Sequence, residues 1–310
     1  MDKALTEEII ACMPQGRTLF EYFKDRYAAM LLAYTVGEGK TVAACKQSQY
    51  GRLLDKPVIK NFLATVGNGW LNRDVLNNVW QTPLLNFVLT LGTWGEQKYD
   101  TYYQTSRPGY NLVLQLNFSN EHTQQYKRLV KPASYETLNY YSHPVLKKRD
   151  QVFFRDTLAW ARIDLDFSAD QALIEEIQCD WLREAKSLLN HVFTKDKDRW
   201  YWDIDATPQE VERYVKEVLQ PYTKLWDEAM LAATIHFIRQ ELGIHHIFYH
   251  SYDTGAQVKH CDPPRSLYTQ LPKKFCFQKT EEVPAFLHAD KHFRRIFKKV
   301  QNPYWYKLVL

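Results

Sequence analysis

The sequence predicts an α+β fold in which a helical N-terminal region precedes a mixed or antiparallel sheet. Over roughly the first 95 residues, apolar side chains recur at helical spacing, as in Leu19–Val36. From Tyr110 onward the pattern changes to the alternation of strands, first in Tyr110–Phe118 (YNLVLQLNF). We therefore predict three regions, which are a helical domain over 1–95, a strand-containing connection over 96–150, and an α/β domain over 151–310 with a helical insertion at 182–222.

The helices of the first region are assigned from capping residues and prolines. Thr18 and Glu21 have the spacing of a capping box, so they predict the start of the helix over Leu19–Val36. Pro57 and Pro83 suit the first turn of a helix, where an amide has no intrahelical acceptor. The other helices predicted here are Val42–Tyr50, Pro57–Val66, Arg73–Trp80 and Pro83–Leu91.

Two β-rich runs lie on either side of a short turn in the middle of the chain. Thr157–Phe167 (TLAWARIDLDF) and Ala172–Trp181 (ALIEEIQCDW) flank Ser-Ala-Asp-Gln, a composition typical of turns, and predict a β-hairpin. Elements expected elsewhere in the second half are helices at Gln124–Val130, Thr223–Leu242, Pro263–Lys274 and Asp290–Val300, and strands at His246–Ser251 and Cys276–Thr280.

The register expected for this hairpin gathers polar side chains on one face. A regular ladder pairs Arg162 with Glu176 and leaves Glu176, Gln178 and Asp180 on a shared face. Glu175 then takes the opposite face, among apolar side chains. Unlike polar groups that converge beside tryptophans indicate a site, and the alternative interpretation is a structural ion-pair network.

Composition and charge exclude several classes of protein. The net charge of +4, from 40 basic and 36 acidic residues, does not by itself indicate nucleic-acid binding. Five scattered cysteines without a CxxC pair predict reduced thiols rather than a disulfide framework or a zinc site. The sequence has neither a signal peptide nor an apolar run of about 20 residues, so we expect a cytoplasmic protein that does not enter a membrane.

Basic residues are concentrated near the C-terminus. They are Lys273, Lys274, Lys279, Lys291, Arg294, Arg295, Lys298, Lys299 and Lys307. A solvated helix face is the simpler interpretation of this basic region. The alternative is a phosphate-binding surface that engages nucleic acid.

Two patterns that could carry chemistry fail on spacing. Gly37–Thr41 (GEGKT) resembles the end of a phosphate-binding loop, but Tyr34 occupies the position of the required earlier glycine. His245, His246 and His250 have no carboxylate or thiolate at ligand spacing. We therefore predict neither a nucleotide loop nor a metal site.

The most specific motif of the chain is Ile174–Trp181 (IEEIQCDW). It resembles the EIQSDW signature found in domains of large polyvalent proteins of phages and mobile elements, with Cys179 where that signature has serine. The resemblance extends over residues 155–285. It implies a mobile-element context without a defined chemistry, so a non-catalytic module that binds nucleic acid or protein is one function consistent with it.

The order of elements in the last region is similar to the C-terminal half of the GNAT acyltransferase fold. That order is strand, strand, helix, strand, helix, strand, and Ser266–Phe277 (SLYTQLPKKFCF) looks like the LYxxLGF helix end of that family. The resemblance implies acyl transfer from acetyl-CoA, with Tyr268 as the acid that protonates the leaving thiolate. It also implies a carboxylate base on the central strand, which would be Glu175 or Glu176.

The remaining residues of this predicted site would hold the substrate. Arg162, Gln178, Asp180 and Trp181 are the expected binding residues. The chain departs from the GNAT family because no glycine-rich loop, which would cradle a pyrophosphate, precedes the helix predicted at Thr223. We therefore expect an acyl-transfer-like enzyme with a degenerate cofactor loop and acetyl-CoA as the candidate cofactor, the alternative being the binding module described above.

Overall fold

Strands from both halves of the chain build the structure, which is a computed structural model. It describes residues 1–12, 18–67, 69–95, 104–134, 136–147, 154–194, 202–261 and 263–310. The described strands are β1 Thr18–Tyr22, β2 Lys40–Thr41, β3 Trp70–Leu71, β4 Leu85–Trp94, β5 Asn111–Phe118, β6 Thr157–Asp166, β7 Gln171–Gln178, β8 His246–His250, β9 Gln278–Thr280 and β10 Trp305–Val309.

Helices connect and cover these strands. They are α1 Lys3–Cys12, α2 Arg26–Val36, α3 Val42–Gln47, α4 Pro57–Leu63, α5 Arg73–Asn77, α6 Asn120–Leu129, α7 Trp181–Thr194, α8 Pro208–Arg213, α9 Gln220–His236, α10 Tyr252–Lys259, α11 Arg265–Thr269, α12 Leu271–Lys274, α13 Ala285–Ala289 and α14 Lys291–Phe297. Short π-helical segments flank α9 at Tyr214–Val218 and Phe237–Glu241. Among the described helices, none has the length and apolar character needed to cross a membrane.

Eight strands form one mixed sheet. Their spatial order is β1-β4-β5-β6-β7-β8-β10-β9, while β2 and β3 form a separate pair. The described pairings in the large sheet are antiparallel except for β7 with β8, which are parallel. A parallel pair requires a crossover connection, and helices α7 to α9 lie on that connection. The predicted α+β class with a mixed sheet is confirmed, and the GNAT-like order stays a prediction.

The first 95 residues differ most from the prediction, because they contribute two strands to the large sheet. Thr18–Tyr22 is strand β1 rather than the start of a helix, and α2 begins only at Arg26. Pro83–Leu91, which was predicted to be helical, leads into β4, and β4 pairs with both β1 and β5. In β1, Phe20 and Tyr22 are buried while the residue between them is exposed. This period of two was hidden in the sequence by apolar residues that also fit helical spacing.

The second half agrees more closely with the sequence. The predicted hairpin is β6 and β7, and the predicted strands at Tyr110–Phe118 and His246–Ser251 are β5 and β8. The helix expected at Thr223–Leu242 is α9 with its π-helical extension. Of the predicted connection over 96–150, residues 96–103, 135 and 148–150 lie outside the described residues.

The large sheet has one apolar face and one polar face in its centre. On the apolar face, Ala161 and Ile163 of β6 and Ile174 of β7 join the main core, against which α9 packs. On the opposite face, which we call the polar face, β6 carries Arg162 and Asp164 at alternate positions, both fully buried. The polar face contains most of the residues that the sequence singled out.

Candidate functional site

A β-bulge in β7 turns two neighbouring glutamates towards the same face. Arg162 of β6 pairs with Glu176, but the next residue, Ile163, pairs with Ile174, so Glu175 has no residue opposite it. A bulge of this kind inserts one residue into a strand and redirects its side chain. The prediction that Glu175 takes the apolar face was therefore wrong, because it assumed a regular alternation along the whole strand.

The predicted Arg162–Glu176 pair forms across the ladder. Arg162 Nη2 donates to Glu176 Oε2 and to the carbonyl oxygen of Gln104, the latter at 2.7 Å. The guanidinium also lies over the Trp94 ring, with 5.0 Å between Arg162 Cζ and the ring centroid. Arg162 is fully buried, whereas 11% of the Glu176 side chain is exposed. The pair thus anchors Glu176 at the edge of the buried region.

Glu175 lies in an enclosed polar cluster. Its carboxylate accepts hydrogen bonds from the amide and the hydroxyl of Ser106, at 3.0 and 2.9 Å. His250 Nε2 lies 3.2 Å from Glu175 Oε2 and 2.7 Å from Ser106 Oγ. All three side chains are buried, so no substrate can reach this carboxylate without displacing its neighbours.

This serine, histidine and glutamate do not form a nucleophilic triad. In such a triad the acid holds the ring nitrogen opposite the one that contacts the serine. Here Ser106 and Glu175 both contact His250 Nε2, while His250 Nδ1 has no hydrogen-bond partner among the described residues. The cluster is therefore interpreted as a structural anion site.

The electrostatics agree with that interpretation. Burial alone would raise the pKa of Glu175, but the hydrogen bond and charge of His250, with the charges of Lys259 and Arg162, outweigh burial and lower it to about 2. Burial in turn lowers the pKa of His250. A carboxyl whose pKa is about 2 remains ionised at neutral pH and is a weak base. This environment does not suit the catalytic role that the sequence predicted for Glu175.

A second cluster surrounds Asp180 at the end of β7. His143 Nδ1 lies 2.6 Å from Asp180 Oδ2, and Gln178 Nε2 donates to Asp180 Oδ1 at 2.7 Å. Arg183 Nη2 reaches the same Oδ1 at 2.8 Å, and the Trp160 indole donates to Oδ2 at 3.4 Å. Asp180 is the centre of this cluster, as its two oxygens accept all of these contacts.

His143 is a partly exposed member of the Asp180 cluster. Its side chain is 24% exposed, whereas that of Asp180 is 1% exposed. Tyr140 and Trp160 flank the imidazole, with ring centroids 5.0 and 5.6 Å away. Burial would raise the pKa of Asp180, but the hydrogen bond and charge of His143, aided by Gln178 and Arg183, lower it. An ionised carboxylate thus holds a half-buried imidazole at the surface.

The sequence prediction did not find His143. The residue lies in Ser-His-Pro at positions 142–144, within the region that was assigned as a connection. His143 and Asp180 are 37 positions apart in the sequence, so their contact could not be predicted from a local pattern. The proximity of Gln178 and Asp180, by contrast, was expected from their alternate positions.

Trp181 does not belong to this site. It is fully buried, its indole donates to the Tyr214 hydroxyl at 2.7 Å, and its ring packs among aromatic side chains such as Phe118 and Tyr126. Because α7 begins at Trp181, the chain leaves the strand there and the side chain enters the aromatic core. The prediction that Trp181 binds substrate was therefore wrong.

Tyr268 lies where β7 and β8 stop pairing. The parallel ladder ends at Ile174 and Tyr249, although β7 continues to Gln178. Beyond the end of the ladder, Lys259 Nζ donates to the carbonyl oxygen of Glu175 at 2.5 Å and lies 5.8 Å from the centroid of the Tyr268 ring. Tyr268 is buried, and burial raises the pKa of its hydroxyl, which has no hydrogen-bond partner among the described residues.

Coenzyme A does not fit the start of the crossover connection. A pyrophosphate site at a helix N-terminus needs free amides and close backbone approach, usually on glycines. Residues 171–222 contain no glycine, and α7 begins immediately after Asp180, whose carboxylate would repel a phosphate. Within the described part of the chain, no group of three or more potential ligands is placed to hold a metal ion either.

Known proteins give no further guide to this site. Comparison of the chain with protein-family models, curated proteins and solved structures finds no match. The resemblances to the EIQSDW and GNAT families therefore stay predictions.

Proposed function

We propose that the chain is an acyl-transfer-type enzyme in which His143, held by Asp180, activates the attacking nucleophile. The observation that carries the proposal is the 2.6 Å contact between His143 Nδ1 and Asp180 Oδ2 in a partly exposed imidazole. A carboxylate on Nδ1 selects the tautomer whose Nε2 holds a lone pair. That nitrogen takes the proton from a hydroxyl, an amine or water as it attacks an acyl carbon.

The proposal keeps the predicted face but assigns the base to a different residue. Glu175 is enclosed and its lowered pKa makes it a weak base, and Oε2 of Glu176 already accepts from Arg162, so we assign the base to neither carboxylate. Asp180 acts as a positioning residue through its contact with His143, and Gln178 through its hydrogen bond to Asp180. Tyr268 is not assigned as the acid, because it is buried in the main core beside Tyr249, on the face of the sheet opposite Arg162. The protonated imidazole of His143 instead returns its proton to the leaving group.

The mixed sheet supports the acyl-transfer part of the proposal. What supports it is the parallel β7–β8 pair, joined by a helical crossover, in a sheet whose other described pairings are antiparallel. The absence of a pyrophosphate cradle around α7 argues for a different acyl donor. We propose a small ester or thioester, whose carbonyl carbon is attacked by the activated nucleophile while the leaving oxygen or sulfur takes up a proton.

Hydrolysis of p-nitrophenyl acetate by the full chain tests the base. His143→Gln keeps the size of the side chain but removes the basic nitrogen, and we expect kcat/KM to fall about 100-fold or more. Asp180→Asn, which leaves Nδ1 without an anionic partner, should lower kcat in the same direction. Thermal unfolding of each variant shows whether it remains folded.

His245→Gln is the matched control. His245 also contacts an aspartate through Nδ1, at 3.1 Å from Asp170 Oδ2, but it lies outside the Asp180 cluster. Its substitution should leave kcat/KM unchanged. Equal activity of the wild type and folded His143→Gln would refute His143 as the base.

A second candidate function is nucleic-acid binding by the surface of α14. Lys291, Arg294 and Arg295 on this helix are exposed, as are Lys298 and Lys299 after it. None of the five forms an ion pair with another described residue, so their charges are not neutralised within this part of the chain. Clustered, unpaired cations are the electrostatic feature of phosphate-backbone binding.

A further inference from the structure

A cavity lies between β1, α2, α5 and the end of α9. Its volume is about 480 Å³, within the range of roughly 300–1,000 Å³ that is usual for small-molecule sites. His236 of α9 is among its lining residues, so the cavity opens on the side of the sheet where α9 packs. His143 and Asp180 lie on the polar face, and the cavity is therefore separate from the proposed active site.

One part of the cavity wall is apolar. Phe20 of β1 and Val79 contribute to it, and α2 presents Ala29, Met30 and Ala33. The last three recur at helical spacing and so form one continuous stripe on the helix. This wall can accept a short hydrocarbon or aromatic body.

The rest of the lining includes two guanidinium groups. Arg26 and Arg73 line the cavity, and neither forms an ion pair with another described residue. Arg26 Cζ lies 5.5 Å from the centroid of the Phe20 ring, and Arg26 Nη1 is buried without a hydrogen-bond partner among the described residues. A buried donor on a charged group is costly to leave unsatisfied. A ligand that accepts a hydrogen bond there would remove that cost.

Positive charge also surrounds the polar pair at one end of the cavity. The Tyr34 hydroxyl lies 2.9 Å from His236 Nδ1. Burial raises the pKa of Tyr34, and the positive charges of Arg239, Arg73 and Arg26 act in the opposite direction, so these guanidinium groups favour negative charge at this hydroxyl.

One acid offsets part of this charge. Among the described lining residues, the acidic side chain is Glu21, which is exposed and acts on Arg26 through its charge without forming an ion pair. Burial lowers the pKa of Arg26, which is the expected effect on a cation that lacks a close anion. The cavity therefore has more positive than negative charge and favours an anionic ligand.

We propose that this cavity binds a small organic anion, whose oxyanion head is held by Arg26 and Arg73 and whose apolar body lies against Phe20 and α2. Guanidinium groups bind carboxylates and phosphates through paired hydrogen bonds, so the two heads share the chemistry that the site recognises. The proposal does not depend on the activity assigned to His143.

Calorimetric titration of the full chain with three eight-carbon probes tests the proposal. Octanoate and octyl phosphate carry the two kinds of oxyanion head, and octan-1-ol provides the same body without a charge. We expect at least one anion to bind about tenfold or more tightly than octan-1-ol, since hydrogen bonds to charged groups are the stronger ones. Comparison of the two anions shows which head the cavity prefers.

Substitution of the arginines assigns the binding to this cavity. Arg26→Gln should weaken the preferred anion by about tenfold and leave the affinity for octan-1-ol within about twofold of the wild type. Arg73 is exposed, so Arg73→Gln is a second test that does not depend on the folding of the Arg26 variant. Arg128→Gln, an exposed arginine on α6, is the control and should bind as the wild type does.

The outcomes separate clearly. Selective loss of anion affinity in a folded Arg26 or Arg73 variant, with the Arg128 variant unchanged, supports the proposal. Equal affinity for octan-1-ol and both anions overturns it, as does undiminished anion binding in the folded arginine variants.

Discussion

Glu175→Gln isolates the contribution of the buried anion in the β7 bulge. The substitution removes the negative charge but keeps the length of the side chain and a carbonyl oxygen that can still accept from Ser106. In the wild type the pKa of Glu175 is lowered to about 2 from an ordinary value of 4.5. The ionised form is therefore stabilised in the fold relative to the unfolded chain.

The difference between these two pKa values gives the size of the change in the free energy of unfolding. At about 1.4 kcal/mol for each pKa step, the ionised carboxylate contributes about 3 kcal/mol to the free energy of unfolding at neutral pH. Because the folded pKa is the lower one, this contribution is complete above about pH 4.5 and is lost as the pH falls towards 2. The difference between wild type and variant should shrink to about half by pH 3.

Thermal unfolding of the full chain between pH 7 and pH 3 measures this dependence. We expect Glu175→Gln to lower Tm by roughly 5–10 °C at pH 7, and by less at pH 3. Glu217→Gln is the control, because Glu217 is 67% exposed and pairs with an exposed arginine. An exposed pair of this kind contributes only about 0–1 kcal/mol.

Two results would refute this account of Glu175. One is a Tm for Glu175→Gln that equals that of the wild type at pH 7. The other is a difference that stays constant down to pH 3, since a destabilisation caused by packing alone would not titrate with the carboxyl.

The remaining predictions concern a buried histidine and the basic surface. Burial lowers the pKa of His122 to about 3, so the unfolded chain is protonated first and stability is lost as the pH falls below about 6.5. The Tm of His122→Phe should therefore fall less than that of the wild type between pH 7 and pH 4, and an equal fall would contradict the assignment. For the α14 surface, replacing Arg294 and Arg295 with glutamine should reduce the slope of log affinity for DNA against log salt concentration by about one for each phosphate that is no longer neutralised, as measured by anisotropy. Replacing Lys127 and Arg128 of α6 is the control, and an unchanged salt slope in the α14 variant would exclude this surface.

Local sequence patterns predicted much of the second half of the fold. The alternation in β5 and β6 and the turn residues before β7 are all determined by neighbours in the chain, so the hairpin and the Arg162–Glu176 pair could be predicted. The strands of the first region were harder to predict. Strand β1 has only five residues, and its apolar residues fit helical spacing as well as the alternation of a strand. The membership of β1 and β4 in one sheet depends on pairing between segments that lie far apart in the sequence.

The candidate site was only partly visible in the sequence for the same reason. Asp180 and Gln178 were identified from their positions on one strand, but their partner His143 comes from a distant segment. Ser106, which binds Glu175, is 69 residues away from it along the chain. A regular ladder was also the wrong assumption at the bulge, which changed the face assigned to Glu175.

Because Glu175 is the extra residue of the bulge, it could be removed without changing the register of β7. Leu173 and Ile174 on one side of Glu175, and Glu176 and Ile177 on the other, already alternate as an uninterrupted strand would. Deleting the single codon for Glu175 would therefore leave every remaining rung in phase, and the carboxylate that binds Ser106 and His250 would disappear together with the carbonyl oxygen that accepts from Lys259. A chain with this design can gain or lose an interior anion in one genetic step without rebuilding its sheet.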